Sequence, residues 1–175
     1  MPVIRRAEIP DMHAITAIYA HHVLHSTATF EVEPPTLEEM LRRRGEVIAL
    51  GFPYLVAEES GDILGYAYVR PFHARAAFRN TVENAVYIRP DCVRRGLGKL
   101  LMQELIQICQ SIGLRQMIAA IGGSGNLASI RLHESLGFRV AGQLKSVGFK
   151  HNQWLDTVYL QLSLGPGDTT VPTRI

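Results

Sequence analysis

The chain has 175 residues, 47% of them apolar and 19% charged, which is enough to bury one substantial core and too little for two. Its formal charge of +2 is spread along the chain rather than blocked, so nothing in it calls for a nucleic-acid or membrane-surface partner. Met1–Arg6 hold no apolar stretch of signal-peptide length, and Cys92 and Cys109 show no metal-binding spacing, which together fit a reducing cytoplasm.

Val3 to Arg6 reads as a short strand, and Pro10-Asp11 then opens an amphipathic helix with Ile15, Ile18, Tyr19 and His22 at helical spacing. Ser26 to Pro35 breaks it into a loop. Thr36 to Glu39 has the form of a capping box, which predicts a second helix with Leu37, Met40 and Leu41 facing inward, ended by Gly51 to Pro53. Tyr54–Glu58 and Ile63–Arg70, separated by Ser60-Gly61-Asp62, read as an antiparallel hairpin. After an irregular stretch from Pro71 to Asn80, Thr81–Ile88 reads as a strand that carries a polar pair, Glu83 and Asn84.

Leu97, Leu100, Leu101, Leu105, Ile108 and Ile112 then repeat at helical spacing up to a stop at Gly113. Gln116–Ile121 predicts a strand, Gly122–Gly125 a loop, Asn126–Leu136 a helix closed by Gly137, and Phe138–Leu144 and Thr157–Leu164 two final strands. The order β-α-α-β-β-β-α-β-α-β-β predicts a mixed α/β fold, a sheet with helices on its faces, over residues 1–164, with 165–175 as an extended tail.

The turn Val93-Arg94-Arg95-Gly96-Leu97-Gly98 joins a strand to the long helix, and its geometry favours an anion. N–H groups at a helix start lack intrahelical partners, and the macrodipole adds positive charge there. Gly96 and Gly98 let an oxyanion approach the main chain, while Arg94, Arg95 and Lys99 supply countercharge. A plain helix entry with surface arginines is the alternative. The turn lacks the Gly-Lys-Ser/Thr ending of a P-loop and the third glycine of the dinucleotide fingerprint.

At this turn the chain resembles the GNAT superfamily of N-acetyltransferases, whose signature after the fourth strand is Gln/Arg-x-x-Gly-x-Gly/Ala; Val93 stands at its first position. It is similar in particular to the phosphinothricin acetyltransferase group, including enzymes that acetylate methionine sulfoximine. The matching stretches are Ser26–Pro34, Ala74-Arg75, Val82-Glu83-Asn84, Arg131–Phe138 and Gly148–Asp156, spread over nearly the whole chain. The resemblance implies acetyl-CoA as co-substrate, with its pyrophosphate on the main-chain N–H groups of Val93 to Lys99, and a homodimer.

Acetyl transfer to an amine requires a base for the ammonium, a donor for the developing oxyanion and help for the leaving thiolate. Glu83, a carboxylate in an otherwise apolar strand running to the turn, is the candidate base, as the resemblance implies; a structural pair with Arg75 or Arg79 is the alternative. Main-chain N–H groups of Val86, Tyr87 and Ile88 would meet the oxyanion through a bulge, again by resemblance. Asn126 and His133 lie seven residues apart on one helix face. The resemblance implies that Asn126 holds the pantetheine arm, with N-capping as the alternative, and that His133 donates toward the sulfur.

Arg75, with its guanidinium fork, is the candidate for the acceptor's carboxylate, and Ala76, Ala77 and Phe78 beside it, with Phe30 and Tyr87, for the pocket wall. His73 and Phe78 stand where the herbicide-acetylating enzymes tend to have lysine and tyrosine, which points away from phosphinothricin itself as the best acceptor. His21, His22 and His25 have no cysteine or carboxylate to complete a metal site. His151 and Trp154 read as a loop before the last strand, a segment associated with the dimer-facing region in this group; Trp154 is otherwise core. The sequence therefore predicts direct acetyl transfer to the α-amine of a small amino acid or analogue, without a covalent enzyme intermediate. A protein or peptide N-acetyltransferase and a non-catalytic acyl-CoA sensor are the rivals.

Overall fold

The structure is a computed structural model that describes residues 1–172. Seven strands, β1 (Val3–Arg6), β2 (Tyr54–Glu59), β3 (Asp62–Pro71), β4 (Thr81–Ile88), β5 (Gln116–Gly122), β6 (Arg139–Lys150) and β7 (Gln153–Ser163), form a sheet in the order β1-β2-β3-β4-β5-β7-β6. Helices α1 (Met12–His25) and α2 (Leu37–Ala49) cover one face, and α3 (Leu97–Ser111) and α4 (Leu127–Glu134) the other. All neighbouring strands are antiparallel except β4 and β5, which are parallel because α3 carries the chain back across the sheet.

The core follows from the periodicities. On α3, Leu97, Leu101, Met102, Leu105 and Cys109 are buried, and each large apolar side chain of this kind stabilises by roughly 1.5–3 kcal/mol as an upper estimate. The exposed Arg42 pairs with Glu39 and Glu46 are screened by solvent and contribute little, so α2 is docked by Met40 and Val47 rather than by its charges. Thr36 caps α2 by accepting from the Glu39 N–H at 3.2 Å, but the Glu39 carboxylate turns to Arg42 and Arg43, so only half of the expected capping box forms.

The last hairpin differs most from expectation. β6 and β7 are 12 and 11 residues long and pair as far as Lys150↔Gln153, because His151 and Asn152 adopt left-handed φ of 49° and 58° and turn the chain in two residues. Asparagine tolerates that conformation, but His151 gave no such signal. Trp154 therefore lies on a strand, 66% exposed and packed edge-on against Phe149 at 5.3 Å, and is not core.

The described part of the expected tail, 165–172, is held to the body of the fold, and 173–175 lie outside the described residues. The buried Arg115 guanidinium donates to the Gly167 carbonyl at 3.0 Å, the Thr170 hydroxyl at 2.9 Å and the Val171 carbonyl at 3.0 Å. Arg115→Met is expected to lower stability by about 1–3 kcal/mol, since it orphans these acceptors. Faster exchange of the Gly167 and Thr169 amides, read by NMR, would accompany the loss; unchanged exchange would show the tail to be held otherwise.

Candidate active site

β4 and β5 are registered only over Thr81↔Gln116, Val82↔Met117 and Glu83↔Ile118, and beyond Glu83 they part. A cleft of about 1220 Å³ opens there, lined by Glu83 to Ile88 of β4, Ala119 to Ile121 of β5, the turn before α3, and α4. On the other flank β4 pairs with β3 from Gly65↔Ile88 to Pro71↔Val82 without a register shift, so the expected bulge is absent and the splay from β5 exposes the strand's peptide groups instead.

Alternation decides which groups are exposed. The Arg89 N–H bonds to the Leu64 carbonyl, so the peptide groups of Tyr87 and Ala85 also face β3, and those of Asn84, Val86 and Ile88 face the cleft. The Ile88 carbonyl is taken by Nε2–H of His22 at 2.9 Å. The N–H groups of Val86 and Ile88 thus face the cleft, whereas that of Tyr87 is turned to β3. The Tyr87 ring meets Tyr19 at 5.0 Å on the α1 side, and burial pushes both hydroxyls above the ordinary tyrosine range, so they act as donors and not as bases.

Side-chain alternation also separates the polar pair. Glu83 points to the α1–α2 face, where Arg70, its partner across β3, donates to Oε1 at 2.7 Å; Arg75 and Arg79 play no part in the pair. Asn84 points to the α3–α4 face and is buried. Its Nδ2 lies 2.9 Å from His133 Nε2, while His133 Nδ1 lies 2.8 Å from the Ser129 carbonyl. A carbonyl can only accept, so Nδ1 carries the hydrogen and Nε2 accepts from Asn84. Burial lowers the His133 pKa, in keeping with a neutral ring. Neither nitrogen of this buried ring is free to give a proton to a sulfur, which corrects the expected donor role.

At the turn, Gly96 caps α3 with φ 78°, a left-handed value that glycine adopts without strain, and the place of its absent Cβ is open space. Gly98 serves packing, since a Cβ there would lie 3.1 Å from Leu132 of α4. Val93, Arg94, Gly96, Leu97, Gly98 and Lys99 line the cleft. The Arg95 side chain leaves it and pairs with Glu59, so its charge is not available to the turn. Asn126 lines the cleft while its Oδ1 caps α4 by accepting from the Ser129 N–H at 3.3 Å.

The α1–α2 side of the cleft includes the loop after α1, which carries Ala28, Thr29, Phe30 and Glu31. Lys150, buried at the end of β6, donates to the carbonyls of Ser26 at 2.9 Å and Thr29 at 2.8 Å. This seats Phe30 against two strands that both lack a side chain there: a Cβ on Gly148 would lie 2.4 Å from its ring, and one on Gly122 3.2 Å. In this loop Glu31 accepts from the Tyr19 hydroxyl at 2.8 Å, and the Thr29 hydroxyl donates to the same Tyr19 oxygen at 2.8 Å. By contrast, Arg75, Ala76, Ala77 and Phe78 lie outside the cleft lining, in an exposed short turn where Phe78 packs on Phe72 and His73. The sequence places a conformationally suitable loop there but cannot say which way it folds past Pro71.

The sequence model of the acetyltransferase (GNAT) domain matches residues 4–159. The chain belongs to the GNAT acetyltransferase family. It is 52% identical over 162 residues to the phosphinothricin N-acetyltransferase of Alcaligenes faecalis, covering 93% of this chain and 82% of that one. It is 42% identical to the L-methionine sulfoximine/L-methionine sulfone acetyltransferase of Salmonella typhimurium, covering 92% and 94%. The crystal structure of a GNAT superfamily phosphinothricin acetyltransferase from Sinorhizobium meliloti in complex with acetyl-CoA superimposes with a TM-score of 0.96 at 43% identity, covering 99% and 94%.

The enzyme is thus an acetyl-CoA-dependent N-acetyltransferase, and its residues fit that co-substrate: a left-handed glycine cap, unpaired N–H groups at the start of α3 and a strand edge left open for an extended arm. No helix among the described residues is long and apolar enough to cross a membrane.

Two outcomes follow from this geometry. Gly148→Ala is expected to push Phe30 from its seat and raise the KM of the amine about 10-fold, with that of acetyl-CoA within about 2-fold, in steady-state kinetics. Burial also lowers the pKa of His22 and His133, so the unfolded chain binds protons that the folded one refuses once pH falls below about 6.5. Stability is therefore expected to be full above that value and to decline toward pH 5, with a shallower decline in His133→Gln, measured by thermal unfolding across pH.

Proposed function

We propose that the enzyme transfers acetyl directly, in a ternary complex, to the α-amine of a small amino acid or analogue of the phosphinothricin or methionine sulfoximine kind. The observation that carries this reading is Glu83, a carboxylate in the cleft wall at the last registered pair between β4 and β5. An amine entering from the α1–α2 side meets Glu83 there, while the opened edge of β4 and the turn before α3 serve the other substrate. The names of the relatives support a small amino-acid-like acceptor, and Phe30, closely seated on Gly122 and Gly148, supports a compact pocket over a peptide groove.

Acetyl-CoA, when bound, supplies an acetyl group already activated as a thioester. Glu83 takes one proton from the acceptor ammonium, directly or through water, so that nitrogen gains a lone pair. The N–H groups of Val86 and Ile88 donate to the acetyl oxygen as the C–N bond forms and the C–S bond breaks. The second nitrogen proton leaves to solvent and the thiolate takes one back, which leaves an amide, a free thiol and one released proton. His133 and Asn84 hold each other and thereby the wall beside this edge; Asn126 steadies the arm from the start of α4.

We also infer that the enzyme works in the cytoplasm as a homodimer, and that it protects its host from amino-acid-like antibiotics or herbicides. The exposed apolar side chains Val140, Leu144, Val147, Phe149 and Trp154 on β6 and β7 support association.

A thiol-release assay with acetyl-CoA against amino acids, methionine sulfoximine, phosphinothricin, polyamines and peptides tests the acceptor class. Turnover confined to peptides would overturn it, and no turnover at all would favour an acyl-CoA sensor. Glu83→Gln is expected to keep acetyl-CoA binding, measured by calorimetry, while turnover falls about 100-fold or more.

A further inference from the structure

Arg70 has no part in the chemistry above, yet it is the side chain that touches the proposed base. It stands opposite Glu83 in the β3–β4 ladder, on the same face, and its Nη2 donates to Glu83 Oε1 at 2.7 Å. The two differ in access: the Arg70 side chain is 59% exposed and that of Glu83 18%. Both line the cleft. A guanidinium has five N–H donors, and one of them is committed to Glu83 here.

Among the described residues, the other cations on this side are already engaged. Arg42 holds Glu39 and Glu46, Arg43 holds Glu31 and Glu39, and Lys150 is buried on two carbonyls. Arg75 lies outside the cleft lining, and Arg94 and Lys99 sit at the turn before α3. Among the described residues, Arg70 is therefore the cation on the acceptor face whose one anionic partner is Glu83. Solvent-exposed pairs of this kind are weak, so a carboxylate delivered by a ligand can compete for the fork.

Building on the reading of Glu83 as the base, we propose that Arg70 is a latch: it holds Glu83 until an amino acid binds and then transfers to that molecule's carboxylate. That transfer frees the Glu83 oxygen to take the ammonium proton, giving a neutral amine and a carboxyl group with no change in net charge. Selection for an amine with an adjacent anion then resides in Arg70. An amine without that anion meets a base still held in the ion pair.

The test compares an amino acid with its own α-carboxamide, using the full-length enzyme, saturating acetyl-CoA and thiol release. The wild type is expected to favour the carboxylate form in kcat/KM by about 10-fold or more, and Arg70→Met to bring the two within about 3-fold, chiefly by loss on the carboxylate form. Arg70→Lys, which keeps the charge without the fork, is expected to fall between them, and carries the test if Arg70→Met fails to fold. A preference retained at full strength in either folded variant would overturn the latch and leave the acceptor class standing. A wild type that acetylates other amines but neither member of the pair would overturn both.

Discussion

The parting of β4 from β5 after Glu83↔Ile118 is the constraint on which the site depends. A buried peptide group without a partner is costly, so a strand edge opened inside a sheet is tolerated where a ligand or a side chain completes it. His22 completes one such group, the Ile88 carbonyl, at 2.9 Å, while the N–H groups of Val86 and Ile88 remain directed at the cleft. The same opening lets the two faces of the sheet communicate. Glu83 and Tyr87 lie on the α1–α2 side, and Asn84 and His133 on the α3–α4 side, so that the two substrates of a direct transfer can meet at the strand edge from opposite directions.

Charge near the opening is kept in place by short, specific contacts. Lys150 is buried on carbonyls, Arg43 bridges the Phe30 loop to α2 through Glu31 and Glu39, and Arg95 is drawn away to Glu59. These contacts contribute little net stability, because exposed pairs are screened and buried ones lose hydration. Their effect is positional: they fix the Phe30 wall of the cleft and leave the turn before α3 with its main-chain N–H groups, Arg94 and Lys99 lining the cleft, as the proposed binding of an anion there requires.

The elements were largely legible because each is written in a local signal: the 3.6-residue spacing of Leu97 to Ile112, the Ser60-Gly61 hairpin, the glycine after α4. The glycine turn before α3 and the place of Glu83 on β4 were legible for the same reason, one from its glycines and the other from its apolar surroundings. What was missed depends on register and on distant contacts. Arg70 and Glu83 face each other across β3 and β4, but the long connection between them hides the pairing from the sequence. Arg75 has the right chemistry for an acceptor site and lies outside the cleft lining, because nothing local dictates how the segment after Pro71 turns. His133 looked like a donor until the Ser129 carbonyl fixed its tautomer, and Lys150 lies 121 residues from the Thr29 carbonyl it holds.

The most direct test of this account is residue-resolved amide exchange with and without acetyl-CoA. If the opened edge of β4 and the start of α3 hold the co-substrate, exchange slows at Val86, Ile88, Leu97 and Gly98 and is unchanged at Tyr87, whose N–H is already engaged by β3. Equal protection along the whole of β4, or none at Val86 and Ile88, would contradict it.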